Sequence, residues 1–517
     1  MIKYVTEFIG TFVFLYVILQ SGKFGDVFDP ATGDVVSRVP FGGVEEIAAA
    51  INAATDALPN WAATPPIQRA RVMFRFKALI EEHMDDIAVL VSSEHGKTLE
   101  DARIGGSPLE KSTRYVSFAE KISGESGARN EFRFFQDQNL LNSSHRDLYL
   151  NTCRNLFETY INFTEPIRIH VRECLPKDPH VSLSAYESSV RARGFDIIRG
   201  LLPSSTLTNM GIFGNGRFFE TIISKLRVES LLELNQIGES AFCELSKVIP
   251  SFIRRAEKNH KYFKDFQNYG AAKKNVFNNF LTKNLITESI KVNESVSLID
   301  YDRDAEIKLL SALLYPYSEL SLTSIREKLN SLPQFERTKL IKDTIELRSH
   351  RRHKPDRGLE MVFYTFDILG DYGVYRDLQR HRMLTQERQM LSTNFGYFTP
   401  FEIEDVGLGS DYHDAMERSA HAYNVISNDF PFEAQYVVPM GYNIRWFMHI
   451  NLRSLIWLTE IRSTPQGHTG YRKIAQEMFK KVEEVHPLLA KYMKYVDLDD
   501  YSLGRLNSEI RKENKKQ

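Results

Sequence analysis

Cysteine is almost missing from this chain: there are three in 517 residues, Cys153, Cys174 and Cys243, and no two form a C-x-x-C pair. So few thiols cannot build a disulfide framework and leave no zinc signature, so no metal site is expected. A reducing, cytoplasmic compartment is the expectation. Excess charge of either sign is also lacking, since 66 basic residues face 67 acidic ones for a net charge of −1. No global field therefore draws nucleic acid or an acidic membrane. The most apolar run, Phe8 to Leu19 (FIGTFVFLYVIL), stops well short of the roughly 20 residues a spanning helix needs. What remains, 42% hydrophobic and 26% charged residues, is the composition of a packed globular protein. Length alone suggests roughly three domains.

The chain changes character twice. Residues 1–22 hold the apolar run and leave two readings open, a buried terminal helix or a signal peptide. The string EFIGTFVFLYV resembles the first helix of aquaporin-type channels. No Asn-Pro-Ala signature follows it, so no channel function is implied. Residues 23–104 open on VFDPATGDVVSRVP, whose alternation around Pro30–Gly33 predicts a hairpin. One helix face follows at Val44, Ile47, Ile51, Ala54 and Leu58, and a second helix starts at Pro66. The strings DVFDPATG, NWAATPPIQRARVMFRFKALIEEH and SSEHGKTL resemble the amino-terminal part of aldehyde dehydrogenases of the methylmalonate-semialdehyde type. The cofactor glycines and nucleophilic cysteine of that family lie in parts absent here, so no dehydrogenase activity is expected. From Arg103 onward helical patterns dominate, as at Phe218, Phe219, Ile222, Ile223 and Leu226, or at Leu309, Leu310, Leu313 and Leu314. The run Val296–Asp302 reads as extended. A polar stretch over Lys258–Val292 marks a boundary, and the charged tail after Leu506 is expected to fray.

Three clusters carry chemistry. Arg380-His381-Arg382 cannot face a core together, because burying unpaired charge is prohibitive. It requires solvent, carboxylates or an anionic ligand, and Arg forks fit phosphate. Around Ser107, Glu110, Ser112, Arg114 and Tyr115, preceded by Gly105 and Gly106, the side chains suit a phosphate and a base edge. The same residues also fit a capped helix start, with Ser107 as N-cap and Glu110 completing a capping box. Asn451 and Arg462 stand eleven residues apart, on one face of a helix ending near Pro465. Arg462 there also suits the carbonyl end of the dipole.

With LEMVFYTF, RDLQRHRMLT, the Pro439…Asn451…Arg462 array and EKSTRYVSF, residues 103–505 resemble flavin-dependent thymidylate synthases in a long form. RGLLPSSTLTNMGIFGNGR looks like a copy of QYVVPMGYNIRWFMHINLR, so that Pro203 answers Pro439 and Asn215 answers Asn451. The expected architecture is a helix-rich α+β fold of two tandem synthase-like halves, at 105–290 and 291–510. A small helical and hairpin fragment precedes them, and a charged tail at 511–517 follows. The resemblance implies reductive methylation of dUMP to dTMP, using FAD, NADPH and methylenetetrahydrofolate, and a homo-oligomer that places sites between subunits. Arg380, His381, Arg382, Thr385, Asn451 and His468 would hold the flavin. Ser107, Glu110, Ser112, Arg114, Tyr115 and Arg462 would bind dUMP, with Arg462 and Arg382 catalytic.

This sequence departs from the family signature at Arg388, where the family has Glu, and at Met390, where it has Ser. The first half keeps the missing residues but has Arg103-Ile104 in place of the Arg-His-Arg cluster. The two halves are thus expected to complement each other, one for flavin and the other for the nucleotide. The aldehyde-dehydrogenase-like segment stands where the family's own start belongs, so the chain reads as a fusion. A non-catalytic flavin- or nucleotide-binding homologue is the alternative. Phosphate or RNA binding through RSHRRHKPDR (348–357) is a third reading, with little aromatic interleaving to stack bases, and no nucleic-acid or stable membrane partner is expected. Under the complementary reading, Arg114→Ala weakens dUMP binding and spares flavin uptake. Titration of both ligands checks this, and unchanged dUMP affinity would refute the division.

Overall fold

The computed structural model describes residues 24–28, 35–40, 109–110, 112–119, 121–122, 131–208, 210–211, 216–284, 295–381 and 383–514, with positions 56, 59, 60, 63, 64, 68 and 75. The expected terminal run at 1–22 and the helical faces at 44–58 and from Pro66 lie outside the described residues, apart from those few positions. In chain order the elements used below are β1 (Phe24–Phe28), β2 (Val35–Pro40), β3 (Leu109–Glu110), α1 (Arg146–Cys174), α2 (Leu183–Ile198) and β4 (Met210–Gly211). There follow α3 (Gly216–Leu226), α4 (Leu232–Val248), α5 (Lys261–Asn284), β5 (Val296–Tyr301), α6 (Ala305–Leu314), β6 (Phe363–Asp371) and α7 (Tyr372–Leu378). The last are β7 (Leu384–Arg388), α8 (Gly409–Ser427), β8 (Asn443–Asn451), α9 (Leu452–Arg462), α10 (Thr469–Val485) and α11 (Leu506–Asn514). The fold is helix-rich α+β. It divides into two compact units: one of 1–118, 136–143 and 207–288, the other of 119–135, 144–206 and 289–517.

In the first unit, β1 and β2 form the antiparallel hairpin expected around Pro30–Gly33, from Phe24 opposite Pro40 to Phe28 opposite Val35. Strand β3 pairs with β4. Glu110 therefore lies in a strand, and the capped-helix reading of its cluster is corrected. A small core joins α3 and α4, where Ile223, Ile253 and Ala256 are buried against Phe219, Ile222, Phe242 and Leu245. The polar stretch after Lys258 is not loose either: α5 is a continuous 24-residue helix. Its Asn- and Lys-rich composition reflects how little of it is buried, only Phe263 among its described side chains.

The second unit is built on an antiparallel sheet of order β5-β6-β8-β7. Aromatic and β-branched residues alternate along β6 and β8, which suits a pleated strand with one buried face. Their register sets Tyr364 opposite Ile450, Phe366 opposite Met448 and Ile368 opposite Trp446. All six side chains are buried. On the other face Thr365 shares a 2.9 Å hydrogen bond with Nδ1 of His449, whose ring stacks on Phe363 at 4.7 Å. A one-residue slip would exchange these faces, so the alternation fixes the register. Helix α10 lies close over the buried face. A Cβ at Gly370 would sit 3.1 Å from Cδ1 of Ile474 and 3.4 Å from the Trp446 ring.

Residues 144–206 bring α1 and α2 into this unit, and α1 packs on both α2 and α8. The loop after α2 meets the loop before β8 at a bridge between Pro203 and Pro439, the two prolines that the sequence repeat pairs. Ser204 N–H donates to Val438 C=O at 2.9 Å, and Met440 N–H donates to Leu202 C=O at 2.9 Å. Outside them, Gly441 N–H donates to Gly200 C=O at 2.8 Å and Ser205 N–H to Tyr436 C=O at 3.3 Å. The shift that carries Pro203 onto Pro439 turns each of these bonds into its mate, so the bridge sits on a local two-fold axis. The end of the chain also differs from expectation. Instead of fraying at Leu506, it forms α11 against α2, and a 2.6 Å pair between Arg505 and Glu509 ties the first turn of α11 to the residue before it.

Trp446 is 1% exposed and packs edge-on against Tyr375 of α7 at 5.2 Å, while its indole N–H has no partner. Trp446→Ala is expected to cost about 3–5 kcal/mol through the cavity it leaves. Trp446→Phe should cost much less, since it keeps most of the volume and removes the unpaired donor. Urea midpoints of the two variants check this ordering.

Candidate functional site

Strand β6 ends at Asp371, whose Oδ1 accepts the Val374 N–H at 2.8 Å and so starts α7. A carboxylate at that position satisfies a donor that the helix cannot. Gln379 N–H donates to Tyr375 C=O at 2.8 Å and His381 N–H to Leu378 C=O at 3.4 Å, turning the chain out of the helix at the cationic cluster. Arg380 is exposed, and its Nε–H reaches Arg376 C=O at 3.3 Å. Arg382 lies outside the described residues.

From the neighbouring strand, β8 ends at Asn451, whose Oδ1 accepts the Ser454 N–H at 2.9 Å and caps α9. Asn451 and Arg462 therefore stand at opposite ends of one helix. The cap accounts for the Asn451 carbonyl oxygen, and its amide Nδ2 remains as a donor. Arg462 closes α9, and its Nε–H donates to Nε2 of His381 at 3.0 Å. Its guanidinium lies over the Tyr471 ring at 5.5 Å.

That contact fixes the state of the imidazole. A guanidinium can only donate, so Nε2 of His381 carries the lone pair and Nδ1 carries the proton. Burial, reinforced by the Arg462 charge, pushes His381 down to about 3, which keeps it neutral at physiological pH. Burial likewise lowers Arg376 to about 10, and its Nη1 lies 3.3 Å from the sulfur of Met440. Asp371 is raised to about 6 by burial, with Arg199 pulling the other way.

The remaining predicted residues fall in several places. Thr385 is exposed on β7, opposite His449. His468 is buried as the N-cap of α10: its Nδ1 accepts the Gly470 N–H at 3.0 Å and its Nε2 lies 3.3 Å from the Asp196 carbonyl. Both of its ring nitrogens are thus engaged within the protein. In the first unit, Ser112 Oγ accepts the Arg114 N–H at 3.3 Å, and the buried Arg114 guanidinium lies over Tyr115 at 5.4 Å. Ser107 and Asn215 lie outside the described residues. In RSHRRHKPDR, Arg348 is committed to a buried fork with Glu460 at 2.5 and 2.6 Å, and Arg357 pairs with Glu360. Cys153 is buried in α1 and Cys174 and Cys243 are exposed. No described helix is long and apolar enough to cross a membrane.

Sequence reasoning missed Arg376, Tyr471 and Arg199. Arg376 was within reach, since it precedes Arg380 by four residues, one helical turn.

Residues 297–488, which carry the sheet, the helices launched from it and the cation cluster, form a thymidylate-synthase-like domain of the flavin-dependent type by sequence. They match the family profile described as thymidylate synthase complementing protein. The chain as a whole belongs to the UPF0159 family. It is 45% identical over 430 residues to a UPF0159 protein of Chlamydia pneumoniae, covering 83% of this chain and 79% of that one. A relative in Thermoplasma acidophilum is 32% identical over 473 residues, covering 85% of this chain and 91% of its own length. Residues 17–140 match the aldehyde dehydrogenase family profile. There the chain is 45% identical over 86 residues to malonate-semialdehyde dehydrogenase of Pseudomonas aeruginosa, and it spans only 17% of that enzyme. Among solved structures, a UMP/dUMP methylase PolB from Streptomyces cacaoi aligns at 14% identity with a TM-score of 0.31, over 40% of this chain and 97% of that one.

His381 also ties stability to pH. Its folded value near 3 lies below the ordinary value of about 6.5, so between the two the unfolded chain binds the extra proton. The stability that depends on neutral His381 is complete above about pH 6.5 and is lost as pH falls toward 3. His381→Gln should remove this slope, so its stability difference from wild type should change on acidification. Asp371 titrates in both proteins and cancels in the comparison, which urea midpoints across the pH range would check.

Proposed function

We propose that this chain binds FAD and dUMP and methylates dUMP to dTMP, with methylenetetrahydrofolate as one-carbon donor and NADPH as reductant. The observation that carries this reading is Arg462. Its guanidinium is half-buried, its hydrogen bond goes to a neutral imidazole, and no carboxylate pairs with it among the described residues. A cation held in that way favours an anionic or carbonyl-rich ligand.

The residues around it suit a flavin and a nucleotide. Exposed Arg380 offers a guanidinium fork, His381 an Nδ1–H donor, Thr385 an exposed hydroxyl and Asn451 an amide N–H. Such donors match the phosphates of FAD and the carbonyls of its ring, and Arg382 would add a second fork. Bound FAD would supply the reducing equivalents that the methyl transfer requires. Arg462 would orient the pyrimidine and stabilise negative charge developing on its carbonyl oxygen. Neutral His381 leaves that charge on Arg462 undiluted, since a second cation at 3.0 Å would compete for the same ligand.

The alternative, a homologue that binds flavin or nucleotide without turnover, draws on Arg388 and Met390. Both are exposed where the family signature has Glu and Ser, and Arg388 Nη1 turns onto Gln389 C=O at 2.9 Å. The absorption spectrum of purified chain, with and without dUMP, tests binding, and turnover of dUMP to dTMP separates enzyme from binder. Arg462→Ala should retain flavin colour and lose about a hundredfold in turnover. A chain that takes up no FAD would overturn the flavin reading.

A further inference from the structure

The cation nearest the start of α7 comes from far away in sequence. Arg199 sits at the end of α2, where its N–H donates to Phe195 C=O and its C=O accepts the Leu202 N–H at 3.1 Å. The next residue, Gly200, is one of those bonded across the local two-fold. The Arg199 side chain is buried, 4% of the residue being exposed, yet it reaches both ends of α7. At the far end its Nη1 pairs with Oδ2 of Asp377 at 3.2 Å. At the near end its Nε and Nη2 lie beside the first turn, since a Cβ on Gly373 would meet each of those nitrogens at 3.4 Å and Oδ1 of Asp371 at 3.1 Å. Nη2 is buried without a hydrogen-bond partner.

The copy of this position across the two-fold shows what the fold alone requires. The shift from Pro203 to Pro439 carries Arg199 onto Gln435. Gln435 serves only backbone groups, accepting the Leu391 N–H at 3.0 Å and donating to Phe432 C=O at 3.0 Å. A neutral amide therefore suffices for the loop, and the guanidinium is kept only where the loop faces α7. A buried ion pair is weak evidence for net stability, which leaves the geometry it fixes as the role to test here. Helix α7 has seven residues and delivers Arg380 and His381 just beyond its last turn, so any tilt of it would move His381 away from Arg462.

We propose that Arg199 is a positioning residue that holds α7 through Asp377 and Asp371, so that His381 meets Arg462 and the cluster is preset for an anionic cofactor. This rests on the flavin reading only for the identity of that cofactor. The experiment uses the full chain and the variants Arg199→Met, Arg199→Lys, Asp377→Asn and the Arg199→Met/Asp377→Asn double. The first readout is the ring ¹⁵N signals of His381 without ligand, assigned by their loss in His381→Gln. The second is FAD affinity by flavin fluorescence. Arg199→Met should return His381 toward an ordinary titrating histidine and weaken FAD binding about tenfold. Asp377→Asn should act in the same direction, the double variant should add little, and Arg199→Lys should restore part of the loss. Wild-type His381 signals and FAD affinity in Arg199→Met would overturn the proposal, even with a lowered Tm. If Arg199→Met does not fold, the near-isosteric Asp377→Asn decides by the same readouts. A wild-type chain without FAD affinity would sink the flavin reading alone, and the His381 signals would still decide the role of Arg199.

Discussion

The antiparallel pairing of β6 with β8 is the constraint from which the candidate site follows. Phe363 lies opposite Asn451 and Asp371 opposite Asn443, so the two strands end at opposite edges of the sheet. Each ends on a residue that caps a helix, and each helix turns back over the sheet, α7 against β6 and β8 and α9 against β8. Nine paired residues span about 30 Å. A seven-residue helix covers about 10 Å and an eleven-residue helix about 16 Å. Two helices started from opposite ends of the strand pair thus run toward each other, and His381, just beyond α7, touches Arg462 at the end of α9. A slip in register would move one launching point and separate them.

Where two carboxyl-terminal helix ends converge, the field is negative, which favours cations there. The same region is partly dry, which penalises them, as the lowered values of His381 and Arg376 show. The imidazole resolves the conflict by staying neutral, while Arg462 cannot lose its proton. An imidazole can thus accept from a guanidinium that a lysine or second arginine in its place would repel. The Arg-His-Arg order is in this sense a charge pattern, with the neutral member placed where the chain folds back onto another cation.

Much of this was legible in the sequence, because alternation is a local signal. FYTFDILGD and NIRWFMHIN carry the period-two pattern of their strands, although the first also suits a buried helix and the second stands out only as a repeat, and the turn at Pro30–Gly33 gives the hairpin. The repeat around Pro203 and Pro439 was also legible, and it proves to be a contact as well as a likeness. Three features were not. The helix α5 hides behind its solvent-exposed Asn and Lys residues, which in isolation resemble a linker. The terminal helix α11 forms through packing on α2, a partner some three hundred residues away. Arg199 carried no signal because its copy is Gln435, so the repeat that exposes the prolines conceals the arginine.

Crowding of like charge around α7 is what the proposed phosphate-bearing ligand would relieve. Around α7 and the end of α9 stand the guanidiniums of Arg199, Arg376, Arg380 and Arg462, against the carboxyls of Asp371 and Asp377 and a neutral imidazole. Beyond burial, the Arg380 charge lowers Arg376 further, as a like charge does. A fold needing only stability would relieve this by substitution, since well-packed apolar residues replace buried ions at little loss. In a chain whose overall charge is −1, the surplus is also not a by-product of a basic composition. The proposed phosphate-bearing ligand would remove the repulsion on binding, turning a cost in the free protein into affinity and orientation in the complex. Arginine suits that purpose better than lysine, because its fork sets the direction of the contact as well as its strength.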